Sequence, residues 1–469
     1  MRRRDAELTR GHLRHLIFGI SCLAILMVSI DSTIVATALP TLTRELHTSV
    51  AWSTWTITIY NLGQIVSLPI AGRLSDSLGR RRMFLIYVGV FTLASLLAGL
   101  ATNVYVLIAL RFVQALGGGG LMPSTMGVVS DLFTRERDRA LGLVSSFFPL
   151  GALLGPTLGG FIVTYFSWRE IFFVNVPVGA VVLVLLWIML PAGRRAAAAR
   201  VDLLGAALMG GTLLSVMFGI NQVGESGLRS PLPWSLLALG GLLAAGFILQ
   251  QRRAAEPILP LALLRRPAFA VVNSINVLYG AAAFGIFSLV PLFAQLTYGL
   301  SPLAAGSLLS VRAAGMASMS VISSLLLRRV GYRAPMVVGF LVLAAGLVLI
   351  SLPAPLPAPL SAPYTWLGLS ALVCGVGVGI AGPPSNNAAV QLLPDQVAAI
   401  SGLRAMFRQT GGIVAITVTA AVIGAGAGEG RALSRAFRVF GVLMVLVVPA
   451  VLRVPERRVE VMSGQAEVD

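Results

Sequence analysis

Of the chain's 469 residues, 57% are hydrophobic and 11% charged, whereas soluble domains carry about 25% charged residues, so this composition belongs to a protein built in a bilayer. All 35 basic residues are arginine, and without lysine neither a Walker-type phosphate loop nor Schiff-base chemistry is possible. No ATP and no cofactor is therefore expected, and the net charge of +17 is assigned to membrane topology rather than to nucleic acid.

Apolar runs of about 20 residues predict fourteen spans, at 16–39, 52–72, 83–101, 104–124, 140–165, 169–190, 202–222, 234–250, 268–293, 302–327, 335–353, 364–382, 398–425 and 434–452. An even count puts both termini on one side. That side carries 25 arginines in the terminal segments and alternate loops, including Arg80 to Arg82, while the other has five: Arg44, Arg169, Arg229, Arg431 and Arg435. The positive-inside rule makes the arginine-rich side, and hence both termini, cytoplasmic. Ala36-Thr37-Ala38 looks like a signal cleavage site, but the apolar run before it is too long and holds an acid, so a retained first span is expected. No segment between spans is long enough to fold as a soluble enzyme domain. His12, His15 and His47 all lie near span ends and give no zinc-binding HExxH helix, so no metal is expected. Cys22 and Cys374 sit in apolar runs and give no disulfide framework.

Asp31 is the one carboxylate well inside a span. Placing it there costs about 2.5–3.5 kcal/mol, which marks it as a functional candidate, with a structural hydrogen-bonded acid as the plainer reading. Arg111, in the fourth span, is its natural partner: counted from the same membrane face, both lie roughly 12 Å deep at about 1.5 Å per residue. Gln114 follows one turn later. Between the second and third spans, Gly72, Asp76, Gly79, Arg80 and Arg81 suggest a charge-bonded latch joining helix ends, where the plain alternative is an ordinary basic loop. In the fifth span Gly151, Gly155 and Gly159 form a stripe nearly free of side chain, with Pro156 as a kink and Gly160 beside it. Such a stripe lets helices approach closely in a membrane.

These residues, as a set, resemble the major facilitator superfamily. The segment 72–82 is similar to its signature loop G-x-L-x-D-x-x-G-R-[RK]-[RK], and Arg111-Phe-Val-Gln114 to its fourth-span R-x-x-Q-G, with Ala115 in place of the glycine. Residues 151–160 resemble the fifth-span antiporter motif G-x-x-x-G-P-x-x-G-G. Asp31-Ser-Thr-Ile-Val-Ala-Thr-Ala-Leu-Pro40 resembles the first-span motif of the fourteen-span drug:proton antiporters. Trp168 to Gly179 is similar to that family's entry into span six, with Glu170 where an aromatic is commoner, and Asp202 to Gly205 and Arg408 to Gly412 match later landmarks.

The resemblance implies an all-α polytopic fold of two six-helix bundles, at 1–200 and 253–469, with two inserted spans at 201–252. It implies a proton-coupled exporter of amphipathic, drug-like molecules in the bacterial inner membrane, working by alternating access as a monomer. Asp31 and Arg111 would carry proton coupling. A shift of 252 residues sets Gly79 on Gly331 and Arg81 on Arg333 but Asp76 on Arg328, so the second latch lacks its acid. Arg312 and Arg408 lie deep in spans ten and thirteen, with Arg404 a turn from Arg408. Two readings of them stay open: they line a positively charged cavity with Gln114 suited to neutral or anionic amphipaths, or they bond carbonyls at helix breaks. The glycine stripe is expected to be the seam along which the halves pack and seal, so that Gly155→Leu impairs or uncouples transport. A facilitator or importer of the same fold would lack the stripe, and a membrane sensor or scaffold would carry a soluble output domain.

Overall fold

A computed structural model describes residues 2–133, 136–190, 202–227, 229–254, 257–259, 267–353, 362–390, 397–424 and 428–453, and every regular element among them is helical. The arginines expected at 135, 194, 195, 200, 265, 266, 457 and 458 on the basic face lie outside the described residues, as do the side chains of Arg73, Asp76 and Arg328.

The first set of helices is α1 (Arg2–Ile34), α2 (Leu39–Glu45), α3 (Val50–Leu78), α4 (Arg80–Gly99), α5 (Val104–Leu132), α6 (Arg137–Tyr165), α7 (Glu170–Phe173) and α8 (Asn175–Met189). A pair follows, α9 (Leu203–Ser226) and α10 (Pro231–Arg253). The last set is α11 (Pro267–Gly280), α12 (Val290–Tyr298), α13 (Pro302–Val330), α14 (Arg333–Ser351), α15 (Pro363–Val390), α16 (Val397–Gly424), α17 (Glu429–Leu446) and α18 (Val448–Val451). Several starts are set by short polar side chains that accept a first-turn N–H left without a helical partner. Ser49 accepts from Trp52, Asn103 from Val106, Asp202 from Gly205 and Ser301 from Ala304.

Among the described residues thirteen helices are long and apolar enough to cross a membrane. The expected span at 52–72 falls in α3, whose 29 residues suffice in length but whose polar content keeps it out of that set. That polarity is buried and largely satisfied within the helix: Thr54, Thr56 and Thr58 donate to the carbonyls of Val50, Ser53 and Thr54. Ser67 donates to Leu116 O on α5 at 2.8 Å. The expected span at 268–293 is also irregular. Between α11 and α12 the backbone loosens to a π segment, Ala281–Gly285, and tightens to a 3-10 segment, Ile286–Leu289. Such π segments are rare and cluster at functional sites.

Within the first set α1 packs on α6, and α5 on α3 and α4; within the last set α15 packs on α13 and α14, and α11 on α16. The two sets meet along α6 and α13 and along α3 and α16, and the α9–α10 pair packs against this second junction through α9. The internal repeat is visible in the backbone. Gly79 (φ +99°) joins α3 to α4, and Gly331 (φ +76°) stands before α14 at the equivalent turn. Both lie in the left-handed region, where a Cβ is strained, so both turns call for glycine.

The glycine stripe requires a correction. A Cβ on Gly151 would stand 2.6 Å from Ser29 Cβ, and one on Gly159 2.6 Å from Ile34 O; one on Gly155 would strike Thr33 Oγ1. All three neighbours belong to α1, inside the first set. Only the opposite edge of α6 reaches across: a Cβ on Gly160 would stand 2.5 Å from Pro302 O, and one on Gly306 would strike Pro156 O. Thr157 and Ser310 share a hydrogen bond of 2.6 Å, Ser310 donates to Leu153 O at 2.6 Å, and Leu303 N donates to Thr164 Oγ1 at 3.2 Å. The stripe thus joins α1 to α6, and the junction between the sets uses residues 153–164 and 302–310. Its glycines follow the helical repeat, so one face of α6 is small, but a small face does not name its partner.

Candidate functional site

Asp31 stands near the end of α1 and is fully buried, as are Arg111 and Gln114 one turn apart on α5. Arg111 Nη1 donates to Asp31 Oδ2 at 2.7 Å and to Gln114 Oε1 at 2.8 Å, and its Nε to Thr56 O at 3.3 Å. Gln114 Nε2 donates to Asp31 Oδ1 at 2.9 Å. The expected pairing of Asp31 with Arg111 is therefore present in the geometry, and Gln114 joins it. Gln114, expected among the cavity residues, instead belongs to this cluster, because its carboxamide is spent on Asp31 and Arg111.

Two further members escaped the sequence reading. Asn175, the first residue of α8, donates to Asp31 Oδ1 at 2.9 Å and to Ser95 Oγ at 3.1 Å. Tyr60 presents its ring to the Arg111 guanidinium, 3.8 Å from the centroid. The ionised carboxylate accepts three N–H donors, one on Oδ2 and two on Oδ1. These donors take three of the carboxylate's about four lone-pair sites, so its charged form is well satisfied where it stands. Nearby, Trp168 Nε1 donates to Glu45 Oε2 at 2.8 Å, fixing the loop that delivers Asn175.

Ser32 and Thr33, directly after Asp31, line a cavity of about 220 Å³ between the two sets of helices. The first set also contributes Asn61, Gln64 and Pro156, and the last set Phe284, Arg312, Arg408 and Gln409. No acid is among the described lining residues. The deep arginines divide between a helix break, a neighbouring amide and the cavity wall. Arg312 Nη2 donates to Ala283 O in the π segment, a carbonyl at a helix break, while its Nε is buried without a partner among the described residues. Arg404 Nε donates to Asn276 Oδ1 at 3.1 Å. Arg408 packs its guanidinium 5.0 Å from the Phe284 ring centroid and lines the cavity.

At the α3–α4 turn Arg80 donates to Gly127 O and pairs with Asp131 Oδ1 at 2.6 Å. Arg81 reaches Trp187 O. Asp131 is an acid that the sequence reading passed over, near the end of α5. The side chain of Asp76, the expected acid of the latch, lies outside the described residues, and Gly72 approaches Pro123 with room for a Cβ at 3.8 Å. With 62% of the Asp131 side chain exposed, the ion pair is worth no more than about 1 kcal/mol. Asp131→Asn should therefore barely move the thermal midpoint of the detergent-solubilised protein. Arg80→Ala, which also removes the bond to the Gly127 carbonyl, should lower it clearly more. Among the described residues no three His, Cys, Asp or Glu side chains come together as a metal site.

A helical membrane protein with a polar cavity where two sets of spans meet, and a buried ion pair beside it, is built as a transporter. The comparisons make the class specific. Residues 21–416 match the Major Facilitator Superfamily model, and the chain belongs to that family. It is 30% identical to the multidrug transporter protein MdtP of Bacillus subtilis (strain 168), over 87% of this chain and 75% of that protein. It is 32% identical to a multidrug resistance protein B homolog of Mycobacterium tuberculosis (strain ATCC 25618 / H37Rv), over 84% and 74%. Identity to the tetracenomycin C resistance and export protein of Streptomyces glaucescens is 30%, over 86% and 75%. Among solved structures, the inward-open xylose transporter XylE from E. coli has a TM-score of 0.63 at 13% identity, covering 95% of this chain and 98% of that one. At that identity it shows the shared fold alone.

Proposed function

We propose that the chain is a proton-coupled exporter of amphipathic, drug-like molecules that works by alternating access, as a monomer. The observation carrying this reading is the buried Asp31–Arg111 pair at 2.7 Å, whose chain neighbours Ser32 and Thr33 line the cavity. An ion pair in the membrane interior is costly unless used, and its break and re-formation can report proton binding to the substrate site next to it. The multidrug and export names of the relatives support the substrate class. Residues 1–200 and 253–469 form the two rocking halves, with 201–252 inserted, and substrate binds near the midplane between them. The arginine asymmetry puts both termini in the cytoplasm of a bacterial cell. On that assignment the α6–α13 contacts at 153–164 and 302–310 close the outer end. Gly72, Asp76, Gly79, Arg80 and Arg81 form a latch on the inner side.

The test is purified protein in liposomes with an imposed pH gradient. Adding a transported amphipath should draw protons across the membrane in proportion to the amphipath moved. Substrate movement with no accompanying proton flux would overturn coupling and leave a facilitator.

A further inference from the structure

We infer that the central cavity is an anion site, and that the preferred cargo is an amphipath carrying a carboxylate or similar anionic group. The inference rests on the exporter reading only in calling the ligand cargo; the binding preference is a property of the cavity itself. Two guanidiniums enter this space, Arg312 and Arg408, and among the described residues no carboxylate lines it. Arginine stays charged in any protein surroundings. Two uncompensated positive charges away from bulk water form a site of strongly positive potential, where a cation is repelled and an anion held.

The arginines are distinguishable from their neighbours by what else they do. Arg111 is committed to Asp31, and Arg404 to Asn276. Arg408 has no hydrogen-bond or ion-pair partner among the described residues, and Arg312 keeps an unpartnered, buried Nε. Both guanidiniums lie against one ring, Phe284, at 5.4 and 5.0 Å from its centroid, which gathers them in one region of the cavity. Their backbones are fixed by glycines of adjoining helices. A Cβ on Gly280 would strike Arg408 O, and one on Gly375 would strike Arg312 O. The backbone anchors of both side chains are thus held in place, which lowers the ordering a ligand must impose.

The rest of the wall specifies an amphipath rather than a bare inorganic ion. Ile57, Leu309, Met316 and Ile416 supply apolar surface, and Gln64 and Gln409 bond each other at 3.2 Å across the two sets. A ligand with an apolar body and one anionic end meets both kinds of surface at once.

The test is binding to the detergent-purified protein, without a gradient, of three matched probes: 1-naphthoate, 1-naphthamide and a (1-naphthylmethyl)trimethylammonium salt, with chloride as an inorganic control. Naphthoate should bind roughly ten- to hundredfold tighter than naphthamide, the equivalent of one charge-assisted hydrogen bond, and the ammonium probe weakest. Arg408→Gln and Arg312→Gln should each erase most of that preference with little change for naphthamide. Arg408→Lys, which keeps the charge, should retain part of it and guards against a folding defect. Equal or tighter binding of the ammonium probe, binding of none of the three, a preference unchanged in both glutamine variants, or displacement of naphthoate by equimolar chloride would each overturn the proposal. Anion-selective binding in a protein that shows no proton-coupled transport would overturn the exporter reading and leave this one standing.

Discussion

Asp31→Asn should reduce gradient-driven transport to the leak of protein-free liposomes while leaving the protein inserted. Asparagine matches aspartate in size, but one of its terminal groups is an amide that donates. In the native cluster Asp31 Oδ2 accepts from Arg111, and Oδ1 from Gln114 and Asn175. Whichever way the asparagine turns, an NH2 faces a donor. More importantly, Arg111 loses its counter-charge at a site only 1% exposed. Removing one partner of a buried pair typically costs about 3–5 kcal/mol. Thr56 O, Gln114 Oε1 and the Tyr60 ring remain to Arg111 and soften that cost.

A loss of transport in the single variant therefore has two possible origins, and a second variant separates them. Asp31→Asn combined with Arg111→Gln removes both charges, so the buried cation is no longer unpaired. Its thermal midpoint should recover towards the wild-type value, since coupled residues are not additive. Transport driven by the pH gradient should stay absent, because no group in the cluster then exchanges a proton. Recovery of proton-driven transport in the double variant, or near-normal transport in Asp31→Asn alone, would remove Asp31 from the coupling role.

Much of this site was legible from sequence for a simple reason. A charge inside an apolar run is expensive, so Asp31 and Arg111 announce themselves, and helical rise is enough to set them at one depth. Asn175 is different. It sits at a helix start, where asparagine is ordinary, and only its aim towards Asp31 gives it a role. Tyr60 reads as one more aromatic in a span. The loosened stretch after α11 is Ala-Ala-Ala-Phe-Gly, which carries no sign of a π segment, since it is the packing of Gly285 against the Gly412 backbone that accompanies it. The helix over 52–72 was legible because its apolar residues outnumber its polar ones. Its threonines are satisfied by the helix's own carbonyls. The stripe on α6 was visible as small residues at a spacing of four, but the pattern is the same whichever helix lies against it.

That difference of partner yields the second large effect. Gly159 and Gly160 are adjacent in sequence and should fail in opposite ways. A Cβ on Gly159 stands 2.6 Å from both Ile34 O and Thr37 Oγ1, within the first set. Gly159→Ala forces α1 and α6 apart, and overpacking of this kind costs about 1–3 kcal/mol, read as a lower thermal midpoint with the conformational balance little changed. A Cβ on Gly160 stands 2.5 Å from Pro302 O and 2.7 Å from Leu303 Cα, across the junction proposed to close one end of the cavity. There the backbone cannot yield as a side chain would, but the two sets can part. The same 1–3 kcal/mol then acts only on the state in which this end is closed, and shifts the balance towards its opening by roughly five- to 150-fold. The native cysteines, Cys22 and Cys374, are buried, so a Ser288→Cys reporter in the cavity wall can be read against a low background. In cells, a membrane-impermeant thiol reagent added outside should label that reporter faster with Gly160→Ala than without it, and no faster with Gly159→Ala. Equal labelling in both variants would mean that the contact between α6 and α13 does not set the closure. Labelling increased by Gly159→Ala alone would return the glycine stripe to the role of a seam between the halves.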